Sequence, residues 1–260
     1  AGGANPSDTT NIDAFSMASL GNAFDFGDLT VARGSGGGGS NSTRAVFMGG
    51  TDPSNPAGLT KIDYVQISTI GNAIDFVSLS QSRDEGGCMA SPTRGVIMGG
   101  LAPGQPNCQN VMQYITISST GNSADFADLT REKYASYGGI ASRTRGIMPG
   151  GYYYPGSSGT YTDEMDAITI SITSNAFDFG NLVQGNRAEP GSASNETRGI
   201  IFGGSAGPSP VVAPPFLPLA AEHLPGNPWE SWGTPDTLRF PSQRRRGTSR
   251  RPCSKSSSLE

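Results

Sequence analysis

The sequence predicts an all-β fold, a β-propeller of about four four-stranded blades of some fifty residues, and three observations predict it. A motif G-N-x-x-D-F recurs at 21–26, 71–76 and 121–126, and 174–179 repeats it with Ser in the first place. A second motif, Thr-Arg followed by apolar residues and Gly-Gly, trails each copy at 43–50, 93–100, 144–151 and 197–204. No stretch holds the 3.6-residue apolar period of a helix, whereas glycine and proline (37 and 19 of 260 residues) supply many turns. The motif aspartates Asp25, Asp75, Asp125 and Asp178 are 50, 50 and 53 residues apart. Two motifs that keep step over four copies define a tandem repeat.

The second repeat shows how each unit divides into strands. Residues 64–68 alternate and are β-branched, which reads as a strand. Gly71-Asn72 is a turn signal, and 73–79 is the next strand. Residues 86–91 are small, as a strand needs where backbones approach closely. Residues 93–98 form a short apolar run suited to a buried strand, which Gly99-Gly100 ends. One such sheet has two apolar faces and cannot bury both alone. Stacking sheets about an axis buries them and leaves only short edges.

Three segments follow: an N-terminal extension (1–10), the repeats (11–204) and a Pro/Arg-rich tail (205–260) predicted to be disordered. Residues 12–30 hold the third and fourth strands of a blade, and 187–204 hold a first and a second. The chain is thus three whole blades plus one that its two ends could share. It reads either as a compact four-bladed ring closed in that way or as an open fragment of a larger ring.

The repeat resembles the kelch family, whose units are about fifty residues long. The likeness lies in the Gly-Gly ends (Gly49-Gly50, Gly99-Gly100, Gly150-Gly151, Gly203-Gly204). It also lies in an aromatic position (Phe26, Phe76, Phe126, Phe179) and a trailing arginine (Arg33, Arg83, Arg131, Arg187). Phe stands where kelch repeats usually have Trp. The wording is closer to kelch-like repeat proteins among virion and tail components of marine phages. The resemblance implies a propeller, and for role a virion or surface location.

Charge is uneven. Residues 1–210 carry 11 basic and 18 acidic side chains, and residues 211–260 carry 7 and 4. An acidic body argues against a nucleic-acid surface on the repeats. The tail holds both tryptophans, the single histidine His223, and the run QRRRGTSRRP. It reads as a basic arm or as a segment foreign to the fold. No apolar run reaches the ~18 residues of a membrane span, and no uncut signal peptide is visible at the start. The first residue is not Met, as expected of a processed chain or a fragment. Cys88, Cys108 and Cys253 form neither a disulfide framework nor a zinc motif; Cys88 and Cys108 read as independent thiols or, in a secreted protein, as a pair.

Residues repeated in every unit are expected to serve the repeat. Arg44, Arg94, Arg145 and Arg198, with the four motif aspartates, are expected either to pair within or between blades or to ring a channel that holds an anion or a sugar. Gly50, Gly100, Gly151 and Gly204 end the apolar strands. Binding is expected where repeats differ, after the Gly-Gly pairs: 51–61, 101–111 and 152–164. The last holds Tyr152, Tyr153, Tyr154 and Tyr161, which suit a sugar ring or a protein partner, or pack against a neighbouring blade. Asp163, Glu164 and Asp166 beside them read as a cation site or a solvated loop.

With no histidine in the repeats, a Ser-His-Asp or Cys-His device and multi-histidine metal chemistry are excluded. Gly36 to Gly39 lack the Lys-Ser/Thr of a phosphate loop. No cofactor is expected. The sequence reads as a non-enzymatic structural or adhesive protein of a virion, cell surface or extracellular setting, whose partner is a host-surface glycan or another surface protein. A carbohydrate-active enzyme with paired acids on one face and a kelch-type adaptor are the alternatives.

Overall fold

The computed structural model describes residues 1–3, 7–52, 54, 58–102, 108–156, 158–183, 188–206, 209–210 and 216–218. Among them every regular element is a strand, and no helix is long and apolar enough to cross a membrane. Two strands, β1 (Thr9–Ala14) and β2 (Phe24–Arg33), make an N-terminal hairpin. The first four-stranded sheet follows as β3 (Gly37–Ser40), β4 (Arg44–Met48), β5 (Leu59–Gln66) and β6 (Ile74–Arg83). The second is β7 (Gly87–Ala90), β8 (Arg94–Met98), β9 (Val111–Thr116) and β10 (Ala124–Asp128).

The third repeats the plan with an inserted hairpin. Its strands are β11 (Ile140–Ala141), β12 (Arg145–Pro149), β15 (Glu164–Thr169) and β16 (Phe177–Asn181). The insert is β13 (Tyr152–Tyr153) with β14 (Thr160–Tyr161). The last sheet has β17 (Gly191–Ser194) and β18 (Arg198–Phe202). The short pair β19 (Ser205–Ala206) and β20 (Ser209–Pro210) precedes β21 (Phe216–Pro218), which joins β18. All neighbours are antiparallel and consecutive, apart from the inserts.

The four strands read from the second repeat form, with two changes of extent: β6 runs on from the expected 73–79 to Arg83, and β5 ends at Gln66 and starts earlier than expected. β5 begins at Leu59, so 59–61 belong to the sheet rather than to a variable loop. The shared blade of the closed-ring reading does not form: β18 pairs with β21, and β1–β2 is a sheet by itself. β1 crosses the segment boundary at 10, and β19 begins directly after the one at 204. The tail features His223, both tryptophans, the arginine run and Cys253, and also Arg187, lie outside the described residues.

The core lies between successive sheets, not within one. Val46, Ile62 and Phe76 of the first sheet meet Ile97, Ile115 and Ile117 beside the second. Met98, Met112 and Phe126 of the second meet Met148 and Ile168 of the third. Ile147 and Met165 of the third meet Ile201 of the last. The hairpin β1–β2 closes the other side of the first sheet through Ile12 and Phe26, against Val65 and Phe47. Each of the three four-stranded sheets therefore buries its two faces on different neighbours, as two-sided apolar strands require. All four motif phenylalanines take part: Phe26, Phe76 and Phe126 are buried, and Phe179 is partly so. Tyr64 and Tyr114 meet Phe76 and Phe126 edge-on, with centroids 5.6 and 5.8 Å apart.

First strands lie side by side, β3 next to β7, β7 next to β11, and β11 next to β17. Small side chains make this approach possible. A Cβ at Gly39 would stand 2.9 Å from that of Ala90, and one at Gly37 would overlap the Cys88 thiol.

Candidate functional site

The repeated motifs build joints. In D-F-x the aspartate holds a bulge in the fourth strand. Asp25 Oδ1 accepts the Gly27 N–H at 3.0 Å, Asp75 Oδ1 the Val77 N–H at 3.2 Å, and Asp178 Oδ1 the Gly180 N–H at 2.8 Å. The donor residues Gly27, Val77 and Gly180, and Ala127 after Asp125, carry φ between +123° and +141°. For Val77, a β-branched residue, this backbone is strained, and the aspartate offsets part of the cost.

Arg44 and Arg94 clamp adjacent sheets. Each lies over an aromatic of its own sheet, Tyr64 at 4.6 Å and Tyr114 at 4.3 Å. Each also donates to a carbonyl beside the next sheet, Ile117 and Ile170, at 2.8 Å. Arg145 lies over Phe179 at 5.7 Å. Arg198 begins β18 and is exposed. The expected pairing with the motif aspartates is not what Arg44 and Arg94 do, and Asp75 pairs instead with Lys61 at 2.6 Å.

The Gly-Gly pairs turn the chain where the next repeat's fourth strand ends. Gly49 and Gly50 have φ +63° and +96°. A Cβ at Gly50 would lie 2.5 Å from the Gly34 carbonyl oxygen, and one at Gly204 would lie 2.6 Å from that of Ala188. Gly100 and Gly151 have φ +99° and +115° and face the Asp84 and Tyr134 carbonyls in the same way. Glycine is required by both torsion and space.

Beneath each of the first three turns sits a buried cation. Arg33 donates to the Gly49 carbonyl at 3.0 Å and to Asp63 at 2.6 Å. Arg83 donates to the Gly99 and Val111 carbonyls at 2.7 Å. In the third repeat the buried cation is Lys133, 2.6 Å from Asp166, and not Arg131 as the trailing-arginine reading has it. Arg131 is half-exposed, pairs with Glu164 and lies over the Tyr153 ring at 4.6 Å. Glu164 and Asp166 are therefore committed to cations, and neither a solvated loop nor a cation site is formed there. Among the described residues no group of three or more His, Cys, Asp or Glu is placed to hold a metal. Cys88 and Cys108 are free and buried, which pushes their thiols up to about 12 and about 11.

Two residues after Arg33, Arg83 and Lys133 the backbone turns left-handed, and it does so again at Glu189. Ser35, Glu85, Ala135 and Glu189 have φ between +50° and +55°. They are linked in series: the Glu85 N–H donates to the Ser35 carbonyl (3.3 Å), Ala135 to Glu85 (3.0 Å), and Glu189 to Ala135 (2.6 Å). One residue from each repeat thus hangs from its counterpart in the repeat before.

Beside this series opens a cavity of about 370 Å³. The insert β13–β14 brings Tyr152, Tyr154 and Tyr161 to one wall together with Tyr134, and Glu85 and Glu189 form another. Tyr152 stands edge-on to Tyr134, Tyr154 and Tyr161 at 5.5, 5.6 and 4.8 Å. Tyr134 and Tyr154 are nearly parallel, at 7° and 6.2 Å. Tyr153 alternates to the other side of β13, out of the cavity, against Arg131. Three of the four tyrosines singled out in the sequence therefore line a cavity and pack on one another's rings there.

Burial raises the Glu85 carboxyl to about 7, helped by Asp84 and Glu189 and opposed by a hydrogen bond from Tyr137. Burial likewise raises Asp84 to about 6. Desolvation and Tyr154 raise the Tyr134 phenol. Tyr134, Glu85 and Glu189 were not singled out in the sequence. Glu85 and Glu189 each lie two residues after a trailing-arginine position (Arg83, Arg187), and Tyr134 directly follows Lys133; that spacing was the available signal. No protein-family model matches the chain, and no curated protein sequence matches it.

Proposed function

We propose that the chain is a kelch-like β-propeller, or an arc of one, that acts as a non-enzymatic binding or structural protein on a virion or other exposed surface. Support for the propeller comes from three sheets of one topology, first strands side by side, and the serial hydrogen bonds from Ser35 to Glu189. A shared axis running past those four residues accounts for all three features.

The observation that carries the binding role is the cavity walled by Tyr134, Tyr152, Tyr154 and Tyr161. Partly buried tyrosines offer flat apolar faces with polar tips, the surface that glycans and protein partners use. A glycan array with the purified chain tests this. Saturable binding without turnover, weakened at least about tenfold by Tyr154→Ala with the circular dichroism spectrum unchanged, is expected. Binding untouched by Tyr154→Ala would remove the site.

One observation favours a second reading, a carbohydrate-active enzyme. Glu85, raised to about 7, shares the cavity with Glu189, and a proton-holding acid beside a second carboxyl is the pair glycoside hydrolysis uses. Conversion of a bound glycan on the same array, abolished by Glu85→Gln, would establish it.

A further inference from the structure

We infer that the tyrosine cavity binds an organic ammonium group, of the trimethylammonium class, whether free or carried on a larger molecule. The inference rests on the binding site proposed above and adds the chemistry of its ligand.

Four aromatic rings meet at this one cavity, with a volume that suits a small head group. Tyrosine rings present a negative face, which attracts a cation that sheds water easily. A methylated ammonium does so, because its charge is spread over methyl groups that also fill apolar space. Two carboxyl groups, Glu85 and Glu189, share the lining, and among the described residues no Arg, Lys or His does. That composition repels anions. It also gives a neutral sugar few donors: Tyr161 and Ser205 already face each other at 3.4 Å.

The position is built and not incidental. Glu85 and Glu189 both sit on left-handed residues of the serial hydrogen-bond chain, with Ala135 between them. Their place is therefore set by backbone, not by a mobile loop. The first and third repeats have Ser35 and Ala135 at this offset, so the acids are confined to the two repeats that flank the tyrosines. The groups facing Glu85 are Asp84, Glu189, Tyr134 and Tyr137. None of them is cationic, so a bound ammonium would be the first positive charge in this set. Its arrival should expel the Glu85 proton, and affinity should fall as pH drops below about 7.

The test is isothermal titration of the full chain with choline, set against 3,3-dimethyl-1-butanol, its neutral isostere. We expect saturable choline binding at pH 8, at least about tenfold weaker at pH 5.5, and no binding of the isostere. Glu85→Gln should weaken choline about tenfold, and Tyr154→Phe, which keeps the ring, should bind as the wild type does. Equal affinity for choline and the isostere overturns the inference without any variant. So does an absence of choline binding by the folded chain. A neutral glycan that binds the array and is lost in Tyr154→Ala, while choline fails, would leave the binding site standing and sink the ammonium ligand alone.

Discussion

Arg33 and Arg83 end equivalent strands, are equally buried and reach the carbonyl of the same Gly-Gly turn, yet their surroundings differ. Arg33 faces Asp63, 2.6 Å away and itself fixed by Thr30. At the counterpart of Asp63 the second repeat has Gln113. Its Oε1 accepts from the Ser80 N–H at 2.9 Å and the Ser123 hydroxyl at 2.6 Å. Turning the amide round would set its nitrogen against a backbone N–H, so Nε2 points away from both donors. Gln113 Nε2 and the Nε and Nη2 of Arg83 are buried with no hydrogen-bond partner. Asp84, next in the chain, does not fill the gap, and its own Oδ1 is also unpartnered.

What the two junctions share is the pair of carbonyls, and what they do not share is the acid. The repeat therefore keeps the cation at the glycine turn in all three described junctions, whereas the carboxylate that neutralises it is present in the first and third (Asp63, Asp166) and replaced by Gln113 in the second. Burial accordingly lowers Arg83 to about 10, with only the Cys88 sulfur opposing, whereas Asp63 opposes the same effect at Arg33.

The sharpest way to break this comparison is to remove the acid where it exists. Asp63→Ala leaves Arg33 charged and uncompensated, and urea unfolding should show a loss of about 3–5 kcal/mol. A loss below about 1 kcal/mol would mean the carboxylate is dispensable in both junctions. Adding an acid to the second junction is the converse. Gln113→Glu should stabilise by about 1.5–3 kcal/mol at pH 7, the worth of hydrogen bonds to a charged group. An unchanged midpoint would mean that Arg83 is already satisfied.

Next comes removal of the cation itself. Arg33→Met should cost about 1–3 kcal/mol more than Arg83→Met, because only the first strands a buried acid. The smallest effect is in pH. Asp84 and Glu85 are raised to about 6 and about 7 with no cation to hold them ionised. A carboxyl raised on folding contributes stability below its unfolded value, near 4, and loses it as pH climbs through the folded value. Thermal midpoints should therefore decline between pH 4 and 7, and Asp84→Asn should flatten that slope.

How much of this was legible follows from what spacing can carry. Period and punctuation located β6, β7 and β8, because turns and apolar runs are local. Spacing alone would also have chosen Lys133, fifty residues after Arg83, over Arg131, which an arginine-only pattern prefers. The partners Asp63 and Asp166 were beyond reach, since each lies on another strand and is fixed by register and bulge. The tyrosines were visible as a departure from the repeat. Their enclosure with Glu85 and Glu189 was not, because it depends on how successive sheets rotate past one another.

The serial linkage of Ser35, Glu85, Ala135 and Glu189 has a consequence for how such a chain can change. Every rung of this staircase is the same step, so whole units can be duplicated or deleted and each new tread still finds its riser. A single inserted residue between a buried cation and its left-handed neighbour would instead shift one tread off its support. Lineages carrying this architecture should vary in length by about fifty residues at a time and tolerate loop growth only where β13–β14 already shows it, beyond the glycine turns.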